Sequence, residues 1–138
     1  MSDVVSTPSP TAVGGTARVA RGVFTATLWL LAAAVVVQVY LAGLGFLADA
    51  SYFVWHTMFA RVIEASTVVL VVAGLLGRVG VWPLAWVFAL LLLTGTQYMF
   101  INSDSGLMRA MHVGNAFSFF TIALLLALGQ RQRARRPA

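Results

Sequence analysis

A chain of 138 residues that is 60% hydrophobic and 9% charged has too few charged groups to cover one water-soluble domain. It has no cysteine, which excludes disulfides, thiolate metal sites, covalent haem attachment and cysteine nucleophiles. The net charge of +5 is carried by arginine alone, mostly at the chain ends and in one turn, a pattern that suits membrane orientation and not nucleic-acid binding.

Residues 1–22 are rich in Ser, Thr, Pro, Gly and Ala, show no apolar period, and read as a disordered tail. Arg18 and Arg21 ahead of an apolar run, with Ala48-Asp49-Ala50 after it, resemble a signal peptide. The run is too long for a signal-peptide core, so a retained helix is expected. Four apolar segments follow at about 23–47, 52–76, 81–101 and 106–128, of 25, 25, 21 and 23 residues. At 1.5 Å rise per residue each reaches about 30 Å or more, the thickness of a hydrocarbon core. The separators "ADAS", "GRVG" and "NSDS" are too short to do anything but reverse the chain. The expected fold is therefore all-α: an integral membrane up-down-up-down four-helix bundle. Residues 129–138, "GQRQRARRPA", read as a basic tail that anchors on lipid headgroups.

Arg18, Arg21, Arg78, Arg131, Arg133, Arg135 and Arg136 fall on one side of this topology. Arg109 falls near the other side and Arg61 within a span. The positive-inside rule then predicts both termini in the cytoplasm and a multi-pass protein of the cell (inner) membrane.

The two halves repeat weakly. Helices 1 and 2 carry Gln38, Asp49, His56 and Ala60; helices 3 and 4 carry Gln97, Asp104, His112 and Ala116. Each half crosses twice, so a pseudo-two-fold axis along the membrane normal is expected. His56 and His112 then lie roughly 6–9 Å below the outer helix ends. Helices 2 and 4 can face each other diagonally, and two inward imidazoles at equal depth are what a six-coordinate haem iron takes.

The neighbours suit a flat macrocycle. Ala60 and Ala116, each four residues after a histidine, lie one turn deeper on the same face. Gly114 adds room, and Phe59, Phe117, Phe119 and Phe120 offer an apolar wall. Arg109 is a candidate partner for a propionate. Asn115, or Gln38 and Gln97, are candidates to accept the second imidazole proton. The plainer reading is that the histidines are interhelical hydrogen-bonding residues and the small residues ordinary packing. A metal ion bound by the two histidines alone is not expected, because no carboxylate or thiol lies at their depth.

Arg61 and Glu64 fall inside the second span, where a charge costs about 2.5–3.5 kcal/mol on insertion scales. Their i, i+3 spacing permits an ion pair. The cluster reads as a proton relay, as a polar site for a quinone or haem edge, or as a self-neutralised pair holding register. Gly43, Gly45, Gly74 and Gly95 are expected close-packing points, and Trp29, Trp55, Trp82 and Trp86 interfacial anchors.

"FVWHTMFARV" and "LLLTGTQYMFINSDSGLMRAMHVGNAFSFF" resemble the histidine and glutamine segments in one four-helix half of the haem A synthase family. The chain is also similar to small actinobacterial four-helix membrane proteins of uncharacterised function. The resemblance covers about residues 23–128 and implies haem ligation by His56 and His112. It departs from the family in having one half only. Val54 and Trp55 also stand where the family has a glutamate just before the second-helix histidine. These departures point away from haem A synthesis. They point toward a single-haem b electron carrier, or a homodimer recreating a two-haem assembly. The other readings are a non-catalytic accessory subunit of a larger membrane complex and a small carrier using Arg61 and Glu64.

Overall fold

The structure, a computed structural model, describes residues 11–135. Over that stretch it consists of α1 (Thr11–Leu47), α2 (Tyr52–Gly77), α3 (Val81–Ile101) and α4 (Gly106–Arg135), joined by short turns. All four are long and apolar enough to cross a membrane. Each helix packs on its neighbour in the chain, and α1 also packs on α4, so α1 lies across from α3 and α2 across from α4.

The turns show why the helices stop where they do. At the end of α2, Arg78 adopts the left-handed conformation (φ 49°, ψ 49°), and its N–H reaches back toward the carbonyls of Gly74 and Leu75. The Val79 N–H bonds to Gly74 O at 3.2 Å, so the last carbonyls of the helix find donors. Gly80 (φ 99°) then redirects the chain, and Pro83 sits in the first turn of α3, where its missing N–H costs nothing. At the opposite end, Asp49 accepts the Ser51 N–H at 2.7 Å. Asn102 closes α3 through Nδ2 to Tyr98 O at 2.8 Å.

Two boundaries differ from the sequence expectation. The first helix begins at Thr11, not at 23, and the fourth continues to Arg135, not to 128. Within residues 14–22 the early part of α1 packs on α2: Ala20 is buried, and Arg21 Nε donates to Gly77 O at 2.6 Å. A Cβ on Gly77 would stand 3.1 Å from the Arg21 backbone, so the approach depends on that glycine. The end of α4 is held similarly, with Ala127 buried and Arg133 Nη1 near Val79 O at 3.5 Å. Arginine, glutamine and alanine are good helix formers once such contacts exist. Residues 1–10 of the expected tail, and Arg136, lie outside the described residues.

Arg21 and Arg133 both reach the α2–α3 turn, so the early part of α1, that turn and the end of α4 share one end of the molecule. The apolar core belongs to this half. Phe24, Leu28, Leu31, Leu70, Val87, Leu90, Ala123 and Ala127 are closed off together. Of the four expected packing glycines, a Cβ on Gly45 would stand 2.9 Å from the Phe53 ring and one on Gly74 2.9 Å from Leu84, so both approaches need a glycine. Gly43 and Gly95 have nothing within 4 Å and are not packing points between the described helices. Trp29, Trp55, Trp82 and Trp86 all lie at the outer surface.

Candidate functional site

The opposite half is built differently. Among the described residues, the buried polar ones are Gln38, Thr67 and Asn115, and they mark the border of the core. Beyond them, toward the 48–51 and 102–105 turns, the interior carries His56 from α2 and His112 from α4.

The rings of His56 and His112 face each other, with centroids 6.4 Å apart and planes inclined by 56°. Each is oriented by a main-chain carbonyl of the preceding helix. His56 Nδ1 lies 3.0 Å from Gln38 O, and His112 Nδ1 lies 3.3 Å from Gln97 O. A carbonyl can only accept, so in each neutral ring Nδ1 carries the proton and Nε2 keeps its lone pair. That is the tautomer a metal-ligating histidine needs, with its second nitrogen fixed by a carbonyl. Phe53 adds a wall on the α1–α2 side, edge-on to His56 at 6.5 Å and seated against Gly45.

The expected proton acceptors are thus right in residue and different in atom. The main chain of Gln38 and Gln97 holds the rings, not their side chains. Asn115 makes no hydrogen bond to either ring. Its Nδ2 donates to Leu93 O (2.8 Å), to Thr96 Oγ1 (3.2 Å) and to Gln97 Oε1 (2.8 Å), tying α4 to α3 just below His112. In the first half, Phe59 occupies the position three residues after its histidine, where the second half has Asn115. Gln38 Oε1 is accordingly buried without a hydrogen-bond partner.

The other expected residues fall as follows. Ala60 and Ala116 are half-buried. Gly114 is exposed, with open space around it. Arg109 is exposed at the turn end, one helical turn from His112. Phe59 is half-buried, and Phe120 packs against the core. Phe119 belongs to the core of the other half, and Phe117 is 72% exposed, so neither walls the histidines. Successive helix positions turn by about 100°, and the run from 117 to 120 cannot all face inward.

Arg61 and Glu64 do pair, at 3.4 Å. A third member was not anticipated: the Tyr98 hydroxyl donates to Glu64 Oε1 and links α3 to α2. Spacing along α3 alone does not say which neighbouring helix Tyr98 meets, so the sequence carried no signal for this link.

Residues 38–104 match a family of unknown function (DUF6220). The matched stretch contains Gln38, His56, Arg61, Glu64, Gln97 and Tyr98, and ends before His112. No curated protein and no solved structure matches the chain.

Proposed function

We propose that the protein is a membrane haem b carrier in which His56 and His112 would hold the haem iron, passing electrons within the membrane or at its outer side. The observation that carries this reading is the 6.4 Å separation of two rings whose Nδ1 atoms are already engaged. Two imidazoles that shared one metal ion would stand about 6 Å apart, centre to centre. Ala60 and Ala116 leave space one turn deeper, and Arg109 is free to reach a propionate at the mouth. Bis-histidine haem supplies reversible one-electron chemistry; the chain's part is to fix both imidazoles and set their basicity through the two carbonyls.

The architecture in this reading is an up-down-up-down bundle in which α1–α2 and α3–α4 are related by a pseudo-two-fold axis. The paired Gln–His contacts support it. Both termini are cytoplasmic, on the side holding Arg18, Arg21, Arg78, Arg131 and Arg133.

A reduced-minus-oxidised spectrum of detergent-purified protein, expressed with ample haem, tests the assignment. Sharp α and Soret bands that vanish in both His56→Ala and His112→Ala support it. A colourless wild-type protein removes it and leaves an accessory membrane subunit.

A further inference from the structure

A second polar cluster stands on the α2–α3 seam. Tyr98 donates to Glu64 Oε1, and Arg61 Nη1 donates to Glu64 Oε2 at 3.4 Å. Glu64 lies about 80° round α2 from His56, on the adjoining face, with Ala60 between them at about 40°. The Arg61 side chain is 73% exposed and that of Glu64 28%. Tyr98 and its neighbour Met99, with Met58 and Val62 on α2, are also exposed. All of these belong to segments apolar enough to span a membrane. A polar site that opens sideways from such segments is reached by a ligand dissolved in the bilayer.

Charge narrows the class of ligand. The guanidinium and carboxylate offset each other, so a fatty acid or phosphate meets Glu64 and a cation meets Arg61. A neutral molecule is favoured. The carboxylate accepts a hydroxyl proton, and Arg61, which has donors beyond the one given to Glu64, offers them to an oxygen, while Tyr98, its hydrogen already on Glu64, keeps an acceptor. An apolar, flat, bilayer-soluble headgroup with hydroxyls that both donate and accept is a hydroquinone.

We propose that Glu64, Tyr98 and Arg61 form the headgroup site of a membrane quinol. The site deepens the haem reading, since Glu64 lies about 12 Å along α2 and about 80° round it from His56, and it names the class of electron donor. Binding itself does not require the haem, so the two ideas fail separately.

The test uses the full chain in phospholipid nanodiscs with a decyl-tailed azidobenzoquinone, reduced to its quinol before illumination. Peptide mapping should find the label on α2 around residue 64 and on α3 around residue 98. Glu64→Gln removes a charge-assisted bond and should weaken labelling about tenfold or more. Tyr98→Phe should weaken it less, and it provides a second variant if the first does not fold. His56→Ala should label as wild type even where the haem spectrum is lost. Excess decylubiquinol should displace the probe, while decanol should not. Label spread along all lipid-facing helices, labelling unchanged in both variants, or equal displacement by decanol or by added anionic phospholipid would overturn the proposal.

Discussion

The two ends of the molecule bury different chemistry. Toward the termini, Phe24, Leu28, Leu31, Leu70, Val87 and Leu90 are fully closed off, and the arginines there satisfy carbonyls at a turn. Toward the other end, α2 buries no residue before Thr67 and α4 none before Asn115. The interior there is organised by hydrogen bonds to His56 and His112. One half therefore holds the helices together, and the other presents groups. Lipid offers no hydrophobic drive for helix association, so van der Waals packing has to supply it, and that packing is concentrated in the terminal half.

The largest expected effect sharpens that division. His56→Ala or His112→Ala should abolish haem absorbance while leaving the detergent-solubilised protein monodisperse on gel filtration, because neither ring belongs to the core. Loss of the folded protein along with the colour would break the comparison. Phe24→Ala should do the reverse. It leaves a cavity in the core and costs about 2–3 kcal/mol, less than in a water-soluble protein because the water-transfer part is small in lipid. Unfolding in mixed micelles measures it, and the haem spectrum of the surviving folded fraction should keep its shape.

Asn115→Leu acts at the border. It leaves Gln97 Oε1 without its donor and should cost about 1–2 kcal/mol. It should also broaden the haem spectrum, since losing the Asn115 tie to Leu93 O, Thr96 and Gln97 lets α4 shift against the α3 main-chain carbonyl that orients His112. A cycle with Gln97→Leu should show positive coupling, and strict additivity would mean that the Asn115 bond is idle.

How much of this was visible beforehand depends on the kind of atom involved. The second and third helices were legible to within a residue, because apolar runs are bounded by "ADAS", "GRVG" and "NSDS". The start of α1 was not, because Gly14, Gly15 and Gly22 read as loop until the face of α2 is there to receive Ala20. The facing histidines followed from depth and spacing. Their carbonyl anchors did not, because every residue carries a carbonyl and residue type leaves no mark of which one is used. The Tyr98–Glu64 link needed the relative rotation of two helices, which spacing along one helix does not contain.

The smallest effect lies in the 48–51 turn. The backbone N–H and hydroxyl of Ser51 hold the Asp49 carboxyl below its ordinary value of 3.8. A lowered folded-state value means a contribution that is complete above that ordinary value and is lost as pH falls through the folded one. Asp49→Asn should therefore lower stability slightly near neutral pH, change it least in acid, and so flatten the acid limb; the loss is small because the group is fully exposed. A large loss at pH 7 would show that this turn matters more to the histidine half than its exposure implies.

Arg78 sits where a glycine would relax the backbone, since left-handed geometry disfavours a side chain. Arg78→Gly should thus raise equilibrium stability by a few tenths of a kcal/mol to about 1 kcal/mol. The same change deletes the one cationic brake in the hairpin between the second and third spans, so chains that fold more tightly should be threaded upside down more often during synthesis. Getting into the bilayer the right way round and resting comfortably once there make opposite demands on this single position.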